Sequence, residues 1–458
     1  MISNEKINLF IENKLAPIMS KFASNKYINS INLGFYALSP LIITCSIFIL
    51  IFNLPFSNPD NALYIKEYHN FTQYFHKYYT AVFNSSIGII SIFLSYSTAH
   101  ALAEHYNLSK LANSFLSAYA FILLSAKTLS ISAVNIASEL LDLKGQLQIN
   151  VIDARYLNVK GIVLAVVCAI VSVEIYRLVV KINIRFPEII PAAIAKTIES
   201  IIPFFILSVL CIIINIITEK YFNNTIVSYA LKVFEYLAVI SDSLILIIFI
   251  LLLVHILWFC GSIHGSNVGS VIINPAVLIN LSINQYAIIN GENLNRIFAG
   301  EFMNGFIYIG GAGATLGLCI AMLMCKNEEI KSIGKTSIVP GIFNINEPIL
   351  FGTPIIMNGT FFIPFIFTPI INAVITYFAF KLNIISKIVA AVPWPTPSIL
   401  NAFVSTNFSI KAPLLIICLF IIDYLIYKPF LTIHIKKIKN NVAVLDNLNL
   451  LKFKYETQ

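Results

Sequence analysis

The chain has 458 residues, of which 58% are hydrophobic and only 11% are charged. A soluble globular domain carries about 25% charged residues, so this composition excludes a soluble enzyme as well as disordered, coiled-coil and disulfide-rich secreted chains. We therefore predict an all-α polytopic membrane protein embedded in a lipid bilayer. Because the basic residues lie between apolar runs, the formal net charge of +8 is interpreted as a topology signal and not as nucleic-acid binding.

Residues 1–30 are predicted to form an amphipathic segment on the cytoplasmic side of the membrane. Their apolar residues recur at steps of three and four, with lysines between them, at Ile7, Ile11, Leu15, Ile18 and Phe22. This spacing is typical of a helix that lies in the membrane interface. A soluble N-terminal arm is the alternative.

The apolar runs that follow predict about ten transmembrane helices plus two re-entrant hairpins. Each run is long enough for a helix to cross the bilayer, and they lie at 32–54, 81–103, 111–133, 159–180, 200–218, 236–258, 268–288, 299–325, 360–380 and 412–428. The segments 337–358 and 386–404 are rich in Gly, Pro, Asn and Ser and are the candidate re-entrant hairpins. Lysines and arginines in the loops predict a multi-pass protein with both termini in the cytoplasm.

Two polar clusters stand out in the apolar second half. The first runs from Trp258 to Asn267 and contains His264, and the second runs from Gly341 to Asn358 and contains Asn344, Asn346 and Glu347. Between residues 336 and 380 the only charged residue is Glu347. An ionisable residue at membrane depth is a functional hypothesis by default. The alternative is a structural carboxylate that accepts hydrogen bonds from the backbone at a helix break.

The residue types of these clusters suit an uncharged, hydroxyl-rich ligand. His264 lies between Gly261 and Gly265, and a neutral imidazole can donate one hydrogen bond and accept another. A satisfied core histidine is the alternative, and His255, with apolar neighbours, is interpreted in that way. No metal site is predicted, since only two strong ligands are offered, and no cofactor is expected.

Trp258 and Trp394 are the only two tryptophans. The ring of a tryptophan can pack against the apolar face of a pyranose. A residue in the aromatic belt at the membrane interface is the alternative for both. Trp394 lies in a proline cluster, PWPTP, which favours a buried irregular segment.

These motifs resemble the enzyme IIC permeases of the bacterial phosphotransferase system, within the lactose, cellobiose and chitobiose family. The run SIVPGIFNINEPILFGTPIIMN carries the resemblance most strongly, together with LWFCGSIHGSN. Shorter blocks agree, namely GATLGL, VEIYRLVV and PWPTP. The similarity extends from about residue 29 to about residue 428.

The resemblance implies a homodimer in the bacterial plasma membrane. It implies a dimer-interface membrane domain at 31–235, a substrate-binding transport domain at 236–430 and a cytoplasmic tail at 431–458. The transport domain would bind a disaccharide and present its C6 hydroxyl to a phosphocysteine of enzyme IIB, which enzyme IIA phosphorylates upstream. Enzyme IIB is expected to be a separate protein, because the tail contains no cysteine.

The resemblance also implies roles for single residues. Glu347 of the NEP motif and His264 of the GIHG-like motif would hold the hydroxyl that becomes phosphorylated and are the catalytic candidates. Trp394 matches the tryptophan of the PW block and is a sugar-binding candidate. Asn344, Asn346, Trp258 and Asn267 are further sugar-binding candidates from the polar clusters.

Three other functions are compatible with parts of the sequence. A sugar or drug secondary transporter outside the phosphotransferase system would take up its substrate without enzyme IIB and release it unmodified. A membrane acyl- or glycosyltransferase that uses His264 would form product without transport. A membrane scaffold would leave the polar clusters without a role.

Overall fold

The computed structural model describes most of the chain. It covers residues 25–54, 56, 64–126, 128–132, 148–152, 154–182, 192–222, 224–259, 264–353, 355–356, 358–393 and 395–456, and gives the backbone alone at 128–132, 148–152, 192–197, 264–272 and 440–456. The predicted amphipathic segment 1–30 therefore lies almost wholly outside the described residues.

The described residues are mostly helical and divide into two compact units. The N-terminal unit comprises residues 24–48 and 67–240, and the C-terminal unit takes 49–66 and 241–458. The dimer-interface and transport roles expected for the two halves of the chain stay predictions.

The N-terminal unit is built around one central helix, and most of the buried residues of this helix are small. Its helices are α1 (Lys26–Ala37), the first part of α2 (Ser39–Phe52), α3 (Lys66–Asn84), α4 (Ile90–His105), α5 (Lys110–Ser125), α6 (Ile162–Lys181), α7 (Ala192–Phe222) and α8 (Ile226–Ser241). Helix α4 packs against α1, α5 and α6. Its buried face contains Ser91, Ser95, Thr98 and Ala99, and such small side chains let membrane helices approach closely.

The C-terminal unit alternates long helices with irregular backbone. Its helices are α9 (Leu244–Phe259), α10 (His264–Ile289), α11 (Leu316–Leu323), α12 (Glu328–Ile342), α13 (Glu347–Gly352), α14 (Phe362–Lys381), α15 (Ser398–Ser405) and α16 (Lys411–Glu456). A turn of π-helix occupies Phe302–Ile307. The core of this unit forms where α11, α12, α14 and α16 meet, around the fully buried Tyr427 and Phe361.

Within the described residues, six helical segments are long and apolar enough to cross a membrane. They are Lys26–Phe52, Lys66–His105, Val159–Lys181, Ile198–Phe222, Phe362–Lys381 and Lys411–Lys439. Helices α8 and α9 would together make a seventh span, interrupted at Asp242 and Ser243. The helical membrane architecture predicted from composition is confirmed.

Three segments differ from the sequence expectation. The apolar run 111–133 is not one helix, because α5 ends at Ser125 and β1 (Thr128–Ser132) pairs antiparallel with β2 (Gln148–Ile152). The segment 299–325 is irregular and contains only the π-turn and α11, since its glycines interrupt the helical pattern. The predicted tail 431–458 continues α16 without a break as far as Glu456.

The close packing of α1 on α4 predicts that Gly34→Val destabilises the protein. A Cβ at Gly34 would lie 3.0 Å from both the backbone nitrogen and the Cα of Thr98, so the helices would have to separate. Overpacking of this kind costs about 1–3 kcal/mol. We expect a clearly lower melting temperature for the purified protein in detergent.

Gly88→Ala is the matched control. The nearest atom to a Cβ at Gly88 is 3.6 Å away, so its melting temperature should stay near that of the wild type. Equal melting temperatures for both variants would contradict the packing argument.

Candidate functional site

A cavity of about 250 Å³ lies inside the C-terminal unit. It is bounded by α9, α10, the π-turn and the residue that precedes α13, and its walls mix amide, phenol and indole groups with apolar side chains. The lining residues are Val254, Trp258, Ile273, Asn274, Val277, Gly300, Met303, Asn304, Tyr308, Ala312 and Asn346. A concave site with a few convergent polar groups is the usual form of a small-molecule site.

One wall of the cavity is a glycine-rich loop with left-handed backbone. Gly310, Gly311 and Gly313 have φ of +81°, +95° and +84°, which glycine adopts without steric cost. A Cβ at Gly311 would lie 2.5 Å from Cγ of Asn346. Glycine is therefore required here for the loop to touch the asparagine.

His255 and Tyr427 hold this loop in place. The backbone N–H of Gly313 donates to His255 Nε2 at 3.1 Å, and the Tyr427 hydroxyl donates to the Gly313 carbonyl at 2.6 Å. Because Nε2 accepts, the imidazole proton is on Nδ1, which bonds to the Leu251 carbonyl at 2.8 Å. His255 is fully buried, so its interpretation as a satisfied core histidine agrees with these bonds.

Asn346 lines the cavity, and its role in sugar binding stays a prediction. Its Nδ2 donates to the Ala312 carbonyl at 2.6 Å and to Thr315 Oγ1 at 3.2 Å. These two bonds orient the amide and leave its carbonyl oxygen as the group able to accept a bond from a ligand hydroxyl.

Asn344 is placed in the supporting framework and is absent from the cavity lining. Its Oδ1 accepts from the Gly310 N–H at 3.0 Å and from the Ser398 hydroxyl at 3.1 Å. Its Nδ2 donates to the carbonyls of Asn304 and Thr396, each at 3.3 Å. The residue has φ of +62°, a conformation that asparagine tolerates better than most residues. The side chain thus joins three irregular segments.

Glu347 is the first residue of α13, and its side chain is exposed. It follows Asn346 directly, so the carboxylate lies one residue beyond the cavity wall. Pro348 occupies the first turn of the same helix, where its missing N–H is tolerated.

Of the remaining predicted site residues, one lines the cavity and three have side chains outside the described residues. Trp258 is half-buried and lines the cavity. His264 and Asn267 belong to α10, which begins at His264, but their side chains lie outside the described residues, as does all of Trp394.

Sequence reasoning missed several lining residues, above all Asn304 and Tyr308. Tyr308 contacts His255, with 5.6 Å between the ring centroids. The run GEFMNGFIYIGG held a usable signal, because it places Glu301 and Asn304 among glycines inside an apolar stretch.

Glu301 is a second carboxylate close to the cavity. It is buried and accepts hydrogen bonds from Val392 N–H at 3.4 Å, Asn401 Nδ2 at 3.4 Å and Asn304 Nδ2 at 3.5 Å. Glu301 therefore orients Asn304, which lines the cavity. It also connects the π-turn to α15 and to the irregular segment that precedes α15.

The chain matches the family profile described as Phosphotransferase system, EIIC, over residues 33–369. The chain belongs to this family. The lichenan permease IIC component of Bacillus subtilis (strain 168) is similar to it, with 30% identity over 433 residues that cover 93% of each protein. The lactose-specific EIICB component of Lactococcus lactis subsp. lactis is 30% identical, over 92% of this chain and 71% of that protein.

A solved EIIC structure has a similar fold. The transporter ChbC, the IIC component from the N,N'-diacetylchitobiose-specific phosphotransferase system, superposes with a TM-score of 0.81 at 30% identity. The match covers 93% of this chain and 98% of that one.

The internal bonds of Asn344 predict that Asn344→Ala lowers stability. The substitution leaves the Gly310 N–H and two carbonyls without their partner, and each unsatisfied buried group costs about 1–3 kcal/mol. We expect a melting temperature several degrees below that of the wild type, together with weaker ligand binding because the glycine loop moves.

Asn290→Ala provides the control for this measurement. Asn290 is exposed, and its Nδ2 donates only a local bond to the Tyr286 carbonyl at 2.8 Å. A melting temperature of Asn344→Ala that equals that of Asn290→Ala would refute the framework role.

Proposed function

We propose that this EIIC protein carries a disaccharide or short oligosaccharide across the bacterial plasma membrane and presents its C6 hydroxyl for phosphorylation. The names of its relatives support a sugar of this size, since they specify lactose and N,N'-diacetylchitobiose. The C-terminal unit would bind and move the sugar, and the N-terminal unit would form the homodimer. Both termini would lie in the cytoplasm.

The observation that carries this proposal is the chemistry of the cavity. The described residues that line it include three asparagines, a tyrosine and a tryptophan, and none of them is Lys, Arg, Asp or Glu. Amide and phenol groups match the donors and acceptors of sugar hydroxyls. An anionic substrate would call for a cationic side chain at the wall.

Aromatic rings would supply the apolar part of sugar recognition. Trp258 lines the cavity, where its ring can pack against the C–H face of a pyranose while the indole N–H donates to a hydroxyl. Trp394 and Asn267 would complete the site.

Glu347 would act on the reacting hydroxyl. In the transfer step, the sugar C6 oxygen attacks phosphorus, the phosphorus–sulfur bond of the enzyme IIB phosphocysteine breaks, and the cysteine leaves as a thiolate. The hydroxyl proton passes to the Glu347 carboxylate, with His264 sharing the hydrogen bond to the hydroxyl. Phosphoryl transfer depends mainly on positioning and charge stabilisation, and a base must lie within hydrogen-bond reach of the proton it takes.

The partners of this reaction are phosphorylated enzyme IIB and, upstream, enzyme IIA. The lactose-specific relative joins the two parts in one EIICB protein, which supports a direct transfer from the IIB part to sugar held by the IIC part. No cofactor is needed in this scheme.

A test in proteoliposomes separates this function from that of a secondary transporter. The purified protein is first screened for binding against cellobiose, lactose and diacetylchitobiose. The sugar that binds is then supplied outside vesicles that contain or lack phosphorylated enzyme IIB. We expect sugar phosphate inside only when phosphorylated enzyme IIB is present. Accumulation of unmodified sugar against its gradient, without enzyme IIB, would identify a secondary transporter instead.

We predict that Glu347→Gln retains sugar binding but loses phosphorylation. The amide keeps the size and part of the hydrogen bonding of the carboxylate, but it cannot accept the hydroxyl proton. General base catalysis contributes roughly 10²–10⁴-fold, so the rate of sugar phosphate formation should fall by about that factor, while the dissociation constant of the sugar changes only a few-fold.

Glu292→Gln is the matched control, because Glu292 is an exposed carboxylate in the turn after α10. Its phosphorylation rate should equal that of the wild type. A normal rate in Glu347→Gln would remove Glu347 from the mechanism.

A further inference from the structure

A chain of hydrogen bonds joins the link between α13 and α14 to the middle of α16. Lys437 Nζ donates to Thr360 Oγ1 at 2.9 Å. The Thr360 N–H donates to Asn358 Oδ1 at 3.1 Å, and Asn358 Nδ2 lies 3.4 Å from His434 Nδ1. We call Asn358, Thr360, His434 and Lys437 the donor cluster.

Within the donor cluster, most of the polar groups that are not already used in internal hydrogen bonds are N–H and O–H donors. Because Asn358 Nδ2 can only donate, His434 Nδ1 accepts and the imidazole proton is on Nε2. The Lys437 ammonium has two further N–H groups, and the Thr360 hydroxyl, which accepts from Lys437, keeps its own proton to give. Ammonium, hydroxyl and imidazole donors together suit an oxyanion such as a phosphoryl group.

The electrostatics of the donor cluster favour the same ligand. In the part of the chain that the structure describes, no carboxylate lies within ion-pair distance of Lys437 or His434. His434 is buried and its ring packs on Phe361 at 5.0 Å, which fixes its position, whereas Lys437 is exposed at the surface. The positive charge is therefore both uncompensated and accessible.

The donor cluster is also part of the segment that carries Glu347. Helix α13 begins at Glu347, and turns at Ile355 and Asn358 lead from it to Phe361. Isoleucines of α12 and α16 belong to the same core cluster as Phe361, so this segment is packed firmly against α16. A group bound to Lys437 and Thr360 would lie at the end of the polypeptide segment that holds the proposed base.

We infer that the donor cluster binds a phosphoryl group during the reaction, as a positioning site at the end of the segment that begins with Glu347. This inference rests on the proposed function, which brings a phosphoryl group to the protein in two forms. One is the phosphocysteine of enzyme IIB before transfer, and the other is the sugar phosphate after transfer. The experiment below separates these two sources.

The test compares Lys437→Gln with Lys436→Gln in vesicles of uncharged phosphatidylcholine. Lys436 is the neighbouring exposed lysine, so both variants lose one charge from the same turn. Two quantities are measured for each: the affinity for the sugar and for its 6-phosphate without enzyme IIB, and the KM and kcat with phosphorylated enzyme IIB.

We expect Lys437→Gln to bind the unmodified sugar normally. If the cluster holds the product, its affinity for the sugar 6-phosphate falls about tenfold. If the cluster holds the donor, the KM for phosphorylated enzyme IIB rises by a similar factor with little change in kcat. Thr360→Val should change the same affinity or KM by a smaller factor. Lys437→Arg should restore that affinity or KM to nearly its wild-type value.

Two results would overturn the inference. One is that Lys437→Gln matches Lys436→Gln in both measurements. The other is that the two differ only in vesicles containing anionic lipid, which would make the cluster a lipid headgroup contact. A wild-type protein that forms no sugar phosphate would instead refute the proposed function. If Lys437→Gln does not fold, the same measurements are made on Thr360→Val, which removes the hydroxyl, and on Thr360→Ser, which keeps it. Equal values for these two variants would then overturn the inference.

Discussion

Backbone polar groups inside a bilayer have no water to bond, and the C-terminal unit meets this constraint with polar side chains at several of its irregular segments. Asp242, at the break between α8 and α9, accepts hydrogen bonds from the N–H groups of Ile297 and Phe298 at 2.9 and 2.6 Å. Asn284 bonds both the N–H and the carbonyl of Arg296. The irregular segments that form the cavity are stable because these polar side chains replace the missing helical bonds.

The same constraint explains why polar residues in this unit have two kinds of task. The side chains of Asn344 and His255 form hydrogen bonds with the glycine loop and its neighbours. They therefore hold the cavity wall in place without lining the cavity. Asn346 is held by two bonds and still lines the cavity. The described residues that line the cavity carry no formal charge, which fits the high cost of burying an unpaired charge.

The helices could be predicted from the sequence to a large extent, because composition and apolar run length are direct consequences of the bilayer. For the irregular segments, the sequence indicated at most which part of the chain departs from a regular helix, and not the path of its backbone. The glycines, prolines and asparagines of 337–358 indicated broken helix, whereas 299–325 was predicted as one crossing although its glycines at 310, 311 and 313 turn the chain. The pairing of β1 with β2 spans residues far apart in sequence, and no local pattern indicated it.

The candidate site shows the same division. The membrane class, the family resemblance and the polar segment around Asn346 and Glu347 are readable from the chain alone, because they depend on composition and on short motifs. Tertiary contacts were needed to show that Asn344 supports the wall while Asn346 lines it, and that Asn304 and Tyr308 belong to the cavity. The reason is that a hydrogen bond is made between groups that folding brings together, and one residue type can serve either purpose until its partners are known.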